Sequence, residues 1–252
     1  MKSKNLFSAI IALCLLALCA CWQAQPEETA APTTTTASAA APTTTTETPA
    51  TVLIEYPASY RDAPAAYKPN LDALYALEQL LRQDKEGELF APGSDTFPLF
   101  QDCLEKAFIH DIYGNGGFGY AIKDINKDGI VELIILQNEE ENFMCSIYTL
   151  KHGKPVNLDY YGRRFPGRLT ADGTIYQTQY GGTSRFMKSS RLKAGASELT
   201  LLTEYYMEHP DCYKGAYDGE REPITEEEWE AVWEQYSNPP NPMPLTFIPI
   251  EQ

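Results

Sequence analysis

The sequence predicts an α+β fold, in which N-terminal helices precede an antiparallel β meander of about five to seven strands and one C-terminal helix packs on the sheet. Two observations predict this class. Apolar residues recur at helical spacing before residue 110 and again after residue 225. Between these two regions, short aromatic and β-branched runs alternate with turn residues, which is typical of β-hairpins.

Two helices are expected at the start of the folded region. Asn70 is a suitable N-cap for a helix that begins at Leu71, and the leucines that follow share one face. A second helix is expected from Thr96 to about His110. Its apolar side chains follow i, i+3 and i+4 spacing and are expected in the core: Phe100, Cys103, Leu104, Ala107 and Phe108.

The strands follow from short runs that are bounded by turn residues. Runs at 118–122 and 133–136 flank a polar loop, and Asp172-Gly173 is a strong hairpin signal. Further strands are expected at 144–150, 174–178, 186–192 and 199–207, with a short edge strand within 245–250.

The last helix has a clear start signal. Thr225 followed by Glu228 is a capping box, and acidic residues in the first turn suit the helix dipole. An apolar stripe that includes Trp229 and Trp233 is expected to pack on the sheet, and Pro239 ends the pattern.

The polar loop 124–132 is the place where the sequence points to definite chemistry. Oxygen-bearing side chains alternate along it, and Gly129 permits a sharp turn. Ca²⁺ takes about 6–8 oxygen ligands, most of which one such loop can supply. The expected ligands of a structural Ca²⁺ ion are Asp124, Asn126, Asp128, the carbonyl of Ile130, and Glu132.

The flanks of this loop distinguish it from an EF-hand. The twelfth loop position, where an EF-hand has a bidentate Glu, is Ile135, and the flanking runs favour strands over helices. The D-x-N-x-D-G-x-x-E pattern between strands resembles the calcium loops of FG-GAP and VCBS repeats over about residues 118–137. Those families repeat the loop around a propeller, whereas one copy occurs here. The alternative is a polar Asn-Lys-Asp-Gly hairpin turn that binds no metal.

The N-terminus has the pattern of a targeting segment. Lys2 and Lys4 precede an apolar run that is short for a membrane span. Leu18-Cys19-Ala20-Cys21 resembles the bacterial lipobox, which implies a signal peptide at 1–20 and a lipid on Cys21. The alternative is an ordinary signal peptide that is cut near Ala24 or Ala30.

Residues 21–52 are expected to form a lipidated, disordered linker, because Thr, Ala and Pro repeats cannot bury a core. In an extended form such a linker reaches on the order of 90 Å. A single globular domain is expected at 53–252. The lipid would anchor the protein to the cell membrane, with the domain exposed on the extracytoplasmic side.

Composition limits the partners. The formal net charge is −15, and removal of the signal segment makes the chain more negative, which argues against nucleic acid or anionic lipid as a partner. Cys103, Cys145 and Cys212 remain after processing. This odd number and their apolar settings favour buried thiols over a disulfide framework, although one pair is possible.

A wider resemblance covers about residues 97–238. The loop, the Ile-Tyr-Thr-Leu-Lys-His-Gly-Lys hairpin, Tyr-Gly-Gly-Thr-Ser and Ile-Thr-Glu-Glu-Glu-Trp follow in an order that resembles small secreted or lipid-anchored proteins of Gram-positive gut-type bacteria. This resemblance implies the compartment, the fold class and the loop.

No catalytic residues are expected, because Ser184 lies outside a G-x-S-x-G elbow and has no identifiable His and Asp partners. We expect a cell-surface lipoprotein with a structural calcium loop that acts as a non-enzymatic binding module for a wall glycan or envelope protein. The alternatives are a carboxylate-dependent cell-envelope hydrolase and an inhibitor or accessory subunit of an envelope complex.

Overall fold

The computed structural model describes residues 54, 60–84, 94, 96–110, 112, 117–137, 143–181, 184–215 and 219–250. These residues form helices and two antiparallel sheets, so the predicted α+β class is confirmed. All of them belong to one compact unit, Pro49–Gln252. The predicted signal peptide, Cys21 and the linker lie outside the described residues. In the described part, no helix is long and apolar enough to cross a membrane.

The helices are α1 (Lys68–Gln83), α2 (Phe97–Ala107) and α3 (Glu226–Ser237), and a 3-10 turn, Ala65–Tyr67, precedes α1. The predicted cap at Asn70 is wrong. The helix begins at Lys68 with Pro69 in its first turn, where the missing amide has no intrahelical partner to lose. Asn70 lies inside the helix, and its Nδ2 donates to the Lys106 carbonyl at 3.0 Å. The amide therefore joins α1 to the end of α2.

The capping box at the start of α3 is confirmed. The Glu228 amide donates to the Thr225 hydroxyl at 3.2 Å, and the Thr225 amide donates to the Glu228 carboxylate at 2.8 Å. The amide and hydroxyl of Thr225 hold the pKa of Glu228 below its ordinary value. Two backbone donors at this end of the helix are thereby satisfied.

The strands divide between two sheets. Sheet 1 has the order β11-β1-β2-β3-β4 and consists of β1 (Phe118–Lys123), β2 (Glu132–Gln137), β3 (Phe143–Lys151), β4 (Lys154–Tyr160) and β11 (Ile248–Pro249). Sheet 2 has the order β10-β9-β8-β7-β6-β5 and consists of β5 (Gly167–Leu169), β6 (Thr174–Gly181), β7 (Ser184–Leu192), β8 (Leu199–Glu208), β9 (Asp211–Gly215) and β10 (Arg221–Ile224). The predicted runs lie on these strands, and sheet 2 is an uninterrupted meander.

Sheet 1 is covered on both faces, which explains why every residue of β2 is buried. Alternation along the strand sends Leu133 and Ile135 into a core with α1 and α2, whereas Ile134 and Leu136 enter a second core with sheet 2. A third core lies on the outer face of sheet 2, where Trp229 of α3 is buried. The layers are therefore two helices, sheet 1, sheet 2 and α3.

A buried glutamate joins α1 to the start of β1. Glu78 is 1% exposed, and its carboxylate accepts from the amides of Gly117 at 3.1 Å and Phe118 at 3.0 Å. Arg82 Nε also donates to Glu78 Oε1 at 2.6 Å. The arginine supplies the positive charge that a buried carboxylate requires.

The three cysteines of the domain are buried and free, as predicted: Cys103, Cys145 and Cys212. Burial and the neighbouring charge of Asp102 raise the pKa of the Cys103 thiol to about 11. This thiol is therefore protonated and unreactive at neutral pH.

The core between the sheets makes a first prediction about stability. Ile134→Ala removes a fully buried side chain from that core and is expected to cost about 2–5 kcal/mol of unfolding free energy. Leu201→Ala is the matched control, since Leu201 is 50% exposed on β8, and it is expected to change stability by about 0.5 kcal/mol. Urea denaturation measures both. Equal losses in the two variants would contradict the two-core arrangement of sheet 1.

Candidate metal centre between the two sheets

The polar loop joins β1 to β2 beyond their last pair, Lys123 with Glu132. It is tightly folded, since Lys127 and Gly129 both have positive φ, of 60° and 85°. Nothing lies within 4 Å of where a Cβ on Gly129 would be. Glycine is therefore favoured at this position by the positive φ and not by a close contact.

The loop turns its three polar side chains toward its own backbone. Asp124 accepts from the amides of Asp128 at 3.2 Å and Gly129 at 2.9 Å. Asn126 Oδ1 accepts from the Asp128 amide at 3.1 Å, and Asp128 Oδ1 accepts from the Ile130 amide at 2.8 Å. These bonds fix the direction of the oxygens while each keeps lone pairs for a further donor or a cation.

Glu132 lies beneath the loop and is completely buried. Its Oε2 accepts from the Ile125 amide at 2.9 Å, and its Oε1 accepts from the Thr149 hydroxyl at 3.0 Å. Burial raises the pKa of Glu132 to about 7, against the effect of these two hydrogen bonds, and the charges of Asp128 and Asp124 add to the rise. A cation in the loop would favour the ionised form of this carboxyl.

The pKa of Asp128 shifts in the opposite direction, and this side chain is less buried than that of Glu132. Burial raises its pKa, but hydrogen bonds from the amides of Gly195 and Ile130 and the side chain of Asn126 outweigh burial, so the pKa of Asp128 lies below its ordinary value. Asp128 is therefore a carboxylate at neutral pH and available to a cation.

The structure brings together three of the five predicted ligands: Asp124, Asn126 and Asp128 are joined by hydrogen bonds within the loop. Ile130 follows directly, with its amide on Asp128. The Glu132 carboxylate instead accepts a hydrogen bond from the Ile125 amide beneath the loop. In the described residues, no three His, Cys, Asp or Glu side chains converge on one metal position. The donor set of carboxylate, amide and carbonyl oxygens fits a hard cation such as Ca²⁺ and does not fit Zn²⁺.

The loop also contacts sheet 2, which its spacing did not predict. The Gly195 amide, in the turn between β7 and β8, donates to Asp128 Oδ2 at 2.8 Å. Asn126 Nδ2 donates to the Lys193 carbonyl of the same turn at 3.4 Å. The side chain of Ile125 is buried in the core between the sheets. The loop therefore connects the β1–β2 hairpin to the second sheet.

A second turn of sheet 2 lies against the loop backbone. A Cβ on Gly173, in the β5–β6 turn, would meet the Ile125 carbonyl oxygen at 2.4 Å. The sequence predicts the Asp172-Gly173 hairpin turn. It does not predict the contact of this turn with a loop some 50 residues earlier, because local periodicity carries no information about contacts between distant segments.

A surface cavity of about 530 Å³ lies beside the loop. Its walls are Lys127, Thr170, Ala171, Asp172, Tyr176, Pro240 and Asn241. The Asp172 carboxylate accepts from Thr170, Thr174 and Arg191. The Thr170 hydroxyl, the amide and hydroxyl of Thr174 and the charge of Arg191 lower the pKa of Asp172 despite partial burial. With its pKa lowered in this way, Asp172 is ionised at neutral pH and is a poor proton donor. The alternative hydrolase, which requires a pair of catalytic carboxyl groups, stays a prediction.

The residues around Ser184 form a hairpin end, as expected for that Gly-rich stretch, with Gly181 paired to Ser184. A cavity of about 390 Å³ is present there, lined in part by Gln179, Ser184 and Phe186. Arg185 also lines it, and its guanidinium lies over the Trp233 ring at 5.3 Å from the centroid. Gly182, Thr183 and the acidic stretch 139–141 lie outside the described residues.

The close contact at Gly173 makes a second prediction. Gly173→Ala and Gly195→Ala both place a side chain at positive φ, of 80° and 72°, so each has a conformational cost of roughly 1 kcal/mol. Only the Gly173 variant also forces a Cβ against the Ile125 carbonyl, since Gly195 has open space around it. We expect Gly173→Ala to be less stable than Gly195→Ala by a further 1–3 kcal/mol, roughly the cost of overpacking. Equal unfolding free energies in urea would show that the β5–β6 turn does not support the loop.

Comparison with protein-family models, with curated proteins and with solved structures finds no match for this chain.

Proposed function

We propose that this protein is a lipid-anchored cell-surface module without catalytic activity, whose two sheets are locked together by a Ca²⁺ ion in the loop 124–132. The observation that carries the proposal is the hydrogen bond from the Gly195 amide to Asp128, because it joins a predicted ligand directly to the second sheet. An ion held by this loop would stiffen the junction of the two sheets.

The proposed ligands are Asp124, Asn126, Asp128, the Ile130 carbonyl and Glu132. The loop amides already orient the first three, so little conformational entropy is lost when an ion binds. Glu132 closes the site from beneath, where its buried carboxylate lacks a cationic partner among its hydrogen-bond donors. Ca²⁺ supplies that missing positive charge.

The compartment supports calcium over other cations. The lipobox-like Leu18-Cys19-Ala20-Cys21 and the Thr, Ala and Pro linker favour a position outside the membrane. Extracellular calcium modules bind with dissociation constants of about 10⁻⁴–10⁻³ M, which is sufficient where calcium is abundant. A site of this affinity is a permanent structural element and not a signalling switch.

Added calcium should therefore stabilise the folded protein. For a dissociation constant of about 10⁻⁴–10⁻³ M, 10 mM Ca²⁺ contributes roughly 1.4–2.7 kcal/mol. This corresponds to a rise of about 3–10 °C in the melting temperature for a domain of this size. Differential scanning calorimetry of the full chain in EDTA and in Ca²⁺ measures the rise.

The isosteric variants Asp124→Asn and Asp128→Asn should lose this rise. Glu105→Gln is the matched control, because it removes the same charge from an exposed position on α2 and should keep the rise. The same calcium response in the Asp124 and Asp128 variants would mean that the acidic surface binds the ion, and the proposal would fail.

The lipid anchor is tested separately. We expect radiolabelled palmitate to label the protein expressed in a Gram-positive host, and we expect Cys21→Ala to abolish the label because Cys21 supplies the acceptor thiol. Cys19→Ala is the control and should remain labelled. Labelling that survives Cys21→Ala would contradict the anchor, and an unlabelled wild type would favour cleavage near Ala24 or Ala30.

A further inference from the structure

Four aromatic rings form a partly exposed cluster at the β4 edge of sheet 1. We define the aromatic platform as Phe108, His110, Tyr160 and Phe165. The rings of His110 and Tyr160 lie with their centroids 4.1 Å apart at a tilt of 37°. Phe108 and Phe165 meet Tyr160 edge-on, at 5.7 Å and 5.5 Å. Tyr160 is still 38% exposed, and His110 is exposed as well.

The platform is built from two places in the fold. Phe108 ends α2 with φ 52°, which directs the chain toward His110. Tyr160 ends β4, the edge strand of sheet 1. Because three rings hold Tyr160, its side chain loses little further freedom when a ligand binds. Large aromatic side chains that are both rigid and exposed are typical of binding surfaces.

Arginines lie directly beside the platform. Gly162 and Phe165 exchange two backbone hydrogen bonds, at 3.4 Å and 3.1 Å, so Arg163 and Arg164 form the tip of a tight turn. Both are exposed, and Tyr160 and Phe165 lie at the base of this turn. The nearby carboxylate of Asp159 is paired with Lys188 at 3.0 Å. Among the described residues at this end of sheet 1, Arg164 therefore presents an exposed positive charge, in a chain whose net charge is −15.

We propose that the aromatic platform and the Arg163-Arg164 turn bind an acidic polysaccharide, so that a sugar ring lies on the exposed His110–Tyr160 pair and its carboxylate meets Arg164. The proposal rests on the position outside the membrane and gives the proposed module its ligand class. A pyranose has apolar C–H faces and a polar rim, which suits an amphipathic aromatic surface. A guanidinium matches a carboxylate with two parallel hydrogen bonds.

The proposed position outside the membrane favours a polysaccharide over a single-stranded nucleic acid. Bases also stack on aromatic side chains beside arginines. A polyuronate and a phosphodiester backbone both carry about one negative charge per unit, so the net charge of −15 opposes both and does not separate them. The His110–Tyr160 pair and the exposed Arg164 offer one stacking surface and one guanidinium, which a single uronic acid residue can occupy.

The test is isothermal titration calorimetry of the full chain in mild detergent with a short oligogalacturonate. The fully methyl-esterified oligomer is the neutral control, and a thymidine oligonucleotide tests the rival ligand class. We expect the acidic oligomer to bind and Tyr160→Ala or Arg164→Gln each to weaken it about tenfold, the loss expected for one stacking or charge-assisted contact. Arg164→Gln alters an exposed turn residue, so it remains informative if Tyr160→Ala does not fold.

Sheet 2 offers a matched control pair, since Arg221 lies over the ring of Tyr213 at 4.5 Å from its centroid. Tyr213→Ala and Arg221→Gln should leave binding unchanged. The proposal is overturned if the acidic oligomer does not bind, if the esterified oligomer binds equally well, if the oligonucleotide binds more tightly, or if the control pair loses as much affinity. Calcium-dependent melting and palmitate labelling test the proposed function separately. If they are positive and the titration fails, the proposed polysaccharide site is wrong, but the proposed lipid-anchored calcium module is not affected.

Discussion

The burial of sheet 1 on both faces is the constraint from which the rest of the structure follows. In a sheet covered by helices on one side and by another sheet on the other, the polar groups that are buried near the strand ends must find partners inside the protein. At β1 these partners are two buried carboxylates. Glu78 binds the amides at its start, and Glu132 binds the Ile125 amide just after its end. Without them, the central strands would end in unsatisfied donors.

The two carboxylates are compensated in different ways. Glu78 has Arg82 on the same helix, one turn away, so its charge is paired within a single element. In the described residues, Glu132 accepts from two neutral donors, and the charges of the loop aspartates that act on it carry the same sign. The polar loop therefore concentrates negative charge at a point where sheet 1 meets two turns of sheet 2. Under the proposed function, a cation bound at this point would strengthen the whole layer stack and not only a hairpin.

The sequence predicts what depends on neighbours along the chain. The Thr225 capping box, the leucine face of α1 and the Asp172-Gly173 turn are all signals within a few residues, and the structure contains each of them. The apolar run 133–136 predicted a strand but not the two different cores that its alternate side chains enter. Asn70 has the right chemistry for a cap, yet it is used against Lys106 of another helix. The hydrogen bonds from the Gly117 amide to Glu78 and from the Gly195 amide to Asp128 each join distant segments. The periodicity of the sequence does not predict such pairings.

The pairing of β11 with β1 has a consequence for the order of folding. Sheet 2 is a meander whose neighbouring strands are also neighbours in sequence, so its hairpins can close early and at low entropic cost. In the part of the chain that the structure describes, the outer edge of β1 pairs with Ile248–Pro249, and the Ile250 amide then donates to the Phe118 carbonyl at 3.2 Å. The pairing of Gly119 with Pro249 joins residues about 130 positions apart, so closure of this edge of sheet 1 is expected late in folding.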